Sequence, residues 1–500
     1  MNRASRARAE GAGMALYSEA AADLPPWLRR VALFALAYQA FFSLTDIGLY
    51  LRPELGAGVL LLLMVCAGRR PWRELAAQPA VRALLLLIVF VVAQAVYAAV
   101  SVMPDIPLSA QLSTAGKLVR LAVFTCVTGW WLSLMPRAIP RLVVLMGLGL
   151  LLSALIYLPW TQADALWNGR LRPDLGIPEN LSGQLAAVGG WLALCLSMAL
   201  WARRRERGRG LALAIGFLAY VGCFCLLLFS QSRGAWLAFA AVLPPVVLGY
   251  AWALRRGRGG YGALVPAIAA ALVSALLLFA ARDLISLRFA GSETVVSEAQ
   301  QAAAAGTVAI APTPAPAAPA APVATPPAAT PTAPVAAPIP AAIAAQQTQV
   351  NNKAVSVRMA LYKLGMEKWL ERPLLGWGLR STPSLIAESR RDMAGQHHMH
   401  LHNTYLDALV GLGALGTLLL AVAFALLLRE ALLAWRRGLM PLAGFWALTG
   451  SVGIVLVANN FDSLLWRFEY GRAPLEFLFG ACLAWGLIRR RSEAGQGARG

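Results

Sequence analysis

The chain has 500 residues, of which 59% are hydrophobic and 14% charged, and its formal net charge is +20. A soluble domain carries about a quarter charged residues. The deficit falls in blocks long enough to cross a bilayer, roughly 20 residues each, which excludes a soluble enzyme and predicts an all-α polytopic membrane protein.

The predicted apolar blocks, in chain order, are 28–46, 55–68, 83–102, 118–135, 141–160, 181–202, 211–229, 234–254, 261–281, 404–428, 439–458 and 473–488. The first is long and followed by more of its kind, so it reads as a retained helix, with no secretory signal peptide. A cytoplasmic tail, 1–27, precedes nine helices over 28–281. A large outer loop follows at 282–403, then three helices over 404–488 and a second cytoplasmic tail, 489–500.

Cations assign the sides. With the N-terminus inside, the inner segments hold Arg29 and Arg30, Arg69 to Arg73, the run Arg203 to Arg209, Arg255 to Arg258, Arg436 and Arg437, and Arg489 to Arg491. That matches the positive-inside rule for twelve crossings with both termini cytoplasmic. Most of the +20 is therefore topology, and no nucleic-acid partner is needed to explain it. A minority of cations lies outside: Lys117, Arg120, Arg170, Arg172, Arg233, Arg282, Arg288, Lys353, Arg358 and Arg380. Near a membrane boundary such charges require water, a pocket or an anion. The six cysteines all sit in apolar blocks and read as small packing residues.

Within the outer loop, 300–350 is an Ala/Pro/Thr-rich tract, expected to be disordered or polyproline-like. The stretch 354–371 is different. Val355, Met359, Tyr362, Leu364, Met366 and Trp369 alternate with Arg358, Lys363, Glu367 and Lys368, which predicts an amphipathic helix. Pro373 ends it, and Gly376-Trp377-Gly378 makes a turn.

All four histidines, His397, His398, His400 and His402, fall within six residues. The group lacks Cys and has few acids nearby, and its spacing is not that of a zinc-binding helix, so no metal site is expected. His402 is distinct in position. Asn403 is a good N-cap for the apolar run beginning at Thr404. His402 then sits at the positive end of a helix dipole, which favours a neutral imidazole able to serve as a general base. Ser230-Gln231-Ser232-Arg233-Gly234 is a tight outer turn, with Gly234 expected to allow it. Arg233 there, Arg358 on the amphipathic helix, and Arg170 and Arg172 in the loop 161–180 are candidate phosphate clamps, because guanidinium pairs bidentately with phosphate. Each also has a plainer reading, as a snorkelling or solvated cation. The chain has no P-loop and no acidic run to hold nucleotide-bound Mg²⁺, so no cofactor is expected. An enzyme built this way would use a donor already activated and delivered in the bilayer, such as a lipid pyrophosphate.

At Ser230–Ala235, Arg372–Gly378, His402-Asn403-Thr404-Tyr405-Leu406 and Gly413–Gly416 the sequence resembles the O-antigen ligase/polymerase family, and within it most nearly the lipopolysaccharide O-antigen ligases. The resemblance implies a GT-C-type glycosyltransferase fold in a Gram-negative inner membrane, with a periplasmic active site. It implies metal-free, inverting transfer of a glycan from undecaprenyl pyrophosphate to a sugar hydroxyl of lipid A-core. His402, Arg233 and Arg358 would be catalytic. Arg172, Arg170, Asn403, Tyr405 and Arg380 would bind substrate. O-antigen polymerase and protein O-oligosaccharyltransferase activities share the donor. A lipid-linked sugar transporter is the non-enzymatic alternative, though it would place charges near the midplane. Gly416 stands where ligases of enteric type often carry Thr, and the Ala/Pro tract is not a family feature.

Overall fold

The structure, a computed structural model, describes residues 24–44, 52–173, 175–201, 206, 208–255, 261–289, 341–389, 398–463 and 469–497. The terminal ends, most of the Ala/Pro tract and His397 lie outside the described residues. Each predicted apolar block coincides with a helix: α1 (Pro26–Phe42), α2 (Pro53–Cys66), α4 (Pro79–Tyr97), α5 (Leu108–Leu134), α6 (Ile139–Tyr157), α7 (Glu179–Trp201), α8 (Arg209–Phe229), α9 (Arg233–Ala253), α10 (Val265–Ala280), α14 (Thr404–Arg436), α15 (Leu442–Ala458) and α16 (Glu469–Gly497). Shorter or peripheral helices are α3 (Arg70–Ala76), α11 (Arg282–Phe289), α12 (Ala341–Glu371) and α13 (Thr382–Glu388). Proline opens α1, α2 and α4 at a position whose N–H has no partner inside the helix.

Among the described residues seven helices are long and apolar enough to cross a membrane, or up to nine if each bent pair is one span. The protein is thus all-α and polytopic, but the expected twelve crossings exceed that number. α1 and α15 have only 17 residues each, the lower limit for a span. α2 and α3 form one bent pair, turning through 108°, and α10 and α11 another, turning through 69°. The second bend turns α11 away from the line of α10.

α7 and α16 are buried along most of their length, α7 against α8 and α15, and α16 against α5 and α14. An apolar helix with neighbours on every side is a core helix. α12 packs on α14 and on α11. It starts at Ala341, inside the tract expected to be disordered. The reason is local: the prolines stop at Pro340, and the residues that follow, Ala and Gln, are good helix formers.

The loop after α12 is joined to α14 through the backbone. Gly413 interrupts α14 with φ 66° and ψ −176°. The carbonyls and amides around that break are taken by the segment 373–378: Trp377 N donates to Val410 O (2.8 Å), Gly378 N to Gly411 O (3.0 Å), Ala414 N to Pro373 O (2.7 Å) and Leu415 N to Leu374 O (3.2 Å). Buried Gln94 of α4 adds bonds to Gly411 O and Leu375 O. Helix backbone at this depth must find such partners. A Cβ at Gly416 would run into Phe90 of α4, so threonine has no room there.

Candidate functional site

The turn between α8 and α9 is the hub of the site. α8 ends at Phe229, and Gln231 takes a left-handed conformation (φ 50°). Ser232 caps α9, its hydroxyl accepting from Ala235 N. The positive φ thus falls on Gln231, not on Gly234. Gly234 serves a close approach instead, because a Cβ there would lie 2.6 Å from Cβ of Phe461.

A helix C-terminus leaves carbonyls without intrahelical partners, and arginines fill that role here. Arg172 Nε donates to Ser230 O (2.7 Å), and Arg288 Nε donates to Gln231 O (3.3 Å). Gln231 itself donates to Gly169 O and Leu171 O, tying the 161–178 loop to the turn. Arg172 is further held by Asn180 Oδ1 (2.7 Å) and, at 3.8 Å, by Glu179. Arg172, Arg233, Arg288 and Arg358 together line a cavity of about 190 Å³, with Asp462 on its wall. Ser232 and Gly234 line it too, so the N-terminal end of α9 opens onto the same space, and a helix start of this kind attracts anions.

Crowding of like charge shows in the titration of these groups. Burial, and then Arg172 and Arg233 beside it, push Arg288 down to about 10. Burial also lowers Arg172; Glu179 opposes that, and Arg358 adds to it. A bound anion would relieve the repulsion among these guanidiniums.

His402 lies beyond Asp462. Its Nδ1 is 3.7 Å from Asp462 Oδ1, and its side chain is 16% exposed. The residue is held in the left-handed region (φ 55°), an uncommon state for a histidine that needs support from its surroundings. Three supports are visible. Asn403 Oδ1 accepts from Tyr405 N (3.0 Å) and Leu406 N (3.1 Å), the expected N-cap. Tyr362 Oη donates to His402 O (3.2 Å) and Asn460 O (2.9 Å); burial pushes this phenol up, so it remains a donor. Below them Asp407 accepts from Leu401 N (3.1 Å) and from the Ser463 hydroxyl, while Thr404 bonds to Asn459. This buried network fastens the segment 400–404 to 459–463.

Tyr362 is one helical turn from Arg358, so one face of α12 serves both the cavity and His402. Tyr405 Oη donates to Leu456 O (2.6 Å). Arg170 and Arg380 are exposed and do not line the cavity. Sequence reasoning placed Arg288 only in the general outer minority, and it missed Asp462 and Gln231. Asp462 lies 60 residues from His402 in sequence, and nothing local marks it.

The cavity wall from Gln231 through Arg288 to Arg358, and His402 with it, falls in one stretch of chain, residues 218–421, and that stretch matches the family model described as O-antigen ligase. This region is similar to the O-antigen ligase family. The matched residues run from within α8 to the middle of α14, so they contain both the tight turn and the His-Asn helix start. Arg172 and Asp462 lie outside the matched residues. No curated protein matches the chain. The apolar helices indicate a multi-pass membrane protein, and its matched region is similar to proteins of the ligase/polymerase type.

Proposed function

We propose that this protein is an O-antigen ligase, which moves a glycan from undecaprenyl pyrophosphate to a sugar hydroxyl of lipid A-core at the periplasmic face of the inner membrane. The observation that carries the reading is the convergence of four arginines and the start of α9 on one cavity, with His402 held next to its acidic wall. The cavity suits a pyrophosphate, a multiply charged anion able to accept bidentate guanidinium bonds.

Arg172, Arg233, Arg288 and Arg358 hold the pyrophosphate and stabilise the charge that grows on it as the anomeric C–O bond breaks. With Nδ1 of His402 on the Asp462 side, Nε2 is left to accept a proton. The acceptor hydroxyl attacks the anomeric carbon from the face opposite the pyrophosphate, forming the new glycosidic bond and inverting the centre. Its proton passes to Nε2, and the electron pair of the broken bond leaves with undecaprenyl pyrophosphate. Asp462 stabilises the imidazolium so formed. Asn403 acts by fixing His402 in place, and Tyr405 by fixing the first turn of α14. The step calls for no metal ion.

The test is transfer in vitro with purified protein, lipid-linked glycan and lipid A-core. Glycosylated lipid A-core with an inverted linkage is the expected product. Lengthening of the lipid-linked glycan, with lipid A-core untouched, would instead mark a polymerase using the same site.

A further inference from the structure

We propose that His400, His402 and Asp462 form a zinc-class divalent cation site whose occupation switches off the base. The binding half stands on the geometry; the switching half rests on the role given to His402 above. One ligand atom from each of the three residues lies within 4.8 Å of the others. His400 and Asp462 are buried, at 6% and 3% exposure. The two imidazoles meet edge to face, with ring centroids 4.3 Å apart at 80°. Nδ1 of His402 is buried without a hydrogen-bond partner. Its 3.7 Å separation from Asp462 Oδ1 is too long for a hydrogen bond.

That spacing suits an ion between the groups. Zinc binds imidazole nitrogen and carboxylate oxygen at about 2.0–2.2 Å, so two of its donors lie about 3.3 Å apart. Side-chain rotations that shorten these separations by up to about 1.5 Å close the set. Two imidazoles and one carboxylate favour zinc over calcium or magnesium, which take oxygen ligands. The surroundings are already ordered for it: Ser463 N donates to Asp462 Oδ1 (2.8 Å), and Asp407 holds both Leu401 and Ser463. Such outer contacts orient ligands in metal sites.

The chemical consequence follows from tautomerism. An ion on Nδ1 takes the place of the proton there, and the neutral ring then carries its proton on Nε2. Nε2 becomes a donor and no longer accepts from the incoming hydroxyl. Zinc therefore inhibits without filling the arginine cavity, and donor binding should survive it.

Zinc alone is titrated into purified full-length protein, by calorimetry and by metal analysis after dialysis, and transfer is assayed alongside. Expected are one zinc ion per chain and inhibition reversed by chelator. His400→Asn should keep basal transfer, lose at least about tenfold in zinc affinity and resist inhibition. Cobalt substitution, read by its absorption spectrum, reports tetrahedral nitrogen/oxygen ligation in the unmutated protein, so the test survives a variant that misfolds. No bound zinc, unchanged affinity in His400→Asn, or zinc-stimulated transfer would each overturn the proposal. Absence of zinc binding leaves the base assignment standing. Full transfer by His402→Ala would remove that assignment while leaving zinc binding to be judged separately.

Discussion

Arginines gather at both ends of α14, and the two gatherings are built differently. At the far end carboxylates close on the guanidiniums. Arg489 reaches Glu430 (2.6 Å) and Glu493 (2.6 Å), Arg437 meets Glu493, and Arg491 reaches Glu74 (2.5 Å), which also takes Arg70 and the indole of Trp130. At the His402 end, Arg172, Arg233 and Arg288 donate to backbone carbonyls, and the nearest carboxylate to Arg172, that of Glu179, stands back at 3.8 Å. A carbonyl fixes a guanidinium in place without cancelling its charge. A carboxylate does both. The first arrangement leaves positive potential directed into a cavity, and the second joins helices. Residue type alone separates neither.

Substitutions can break this contrast. The largest effect is expected from His402→Ala, which should lower transfer about a thousandfold or more, in the upper part of the range for general bases, with thermal stability unchanged; loss of folding instead would make the residue structural. Arg489→Ala should act in the opposite way. It leaves Glu430, 1% exposed, with Arg429 at 3.3 Å as its remaining arginine, and removing one partner of a buried pair costs up to about 3–5 kcal/mol. Denaturation should register it, while KM for the lipid-linked donor stays unchanged in the folded fraction. Arg288→Ala should reduce kcat/KM about a hundredfold, since charge-assisted bonds contribute about 1.5–3 kcal/mol. The melting temperature should hold or rise as like-charge repulsion is relieved; a clear fall would move Arg288 into the helix-joining class. The smallest effect belongs to Arg233→Lys, about tenfold in the same assay, because the charge persists while the planar fork is lost. Activity equal to the unmutated protein would reduce Arg233 to a point charge.

The helices were legible because apolar blocks of bilayer length carry their own signal. The same holds for Asn403 as N-cap and for the turn at 230–233, where short polar residues separate two apolar runs. Residues whose role depends on contacts distant in sequence were not. Asp462 gains meaning only when α14 and α15 bring 400–404 against 459–463. Nothing in the sequence around Arg288 assigned it to the cavity, since the bend after α10 decides where α11 goes. Gly413 belonged to a recognisable glycine pair, yet its partner, the 373–378 segment, is found only by following the backbone hydrogen bonds. Composition itself misled at Ala341, where the proline-rich bias ends but the alanine bias continues.

α11 and α12 pack against each other, and they carry Arg288 and Arg358 on two sides of one cavity. In sequence, residues 290–340 join two helices that already touch. The entropy of closing a ring grows only with the logarithm of its length, so doubling the insert costs about 0.6 kcal/mol. A longer or shorter tract at this position is expected to leave both guanidiniums where α11 and α12 hold them, because the two helices meet through their own contacts.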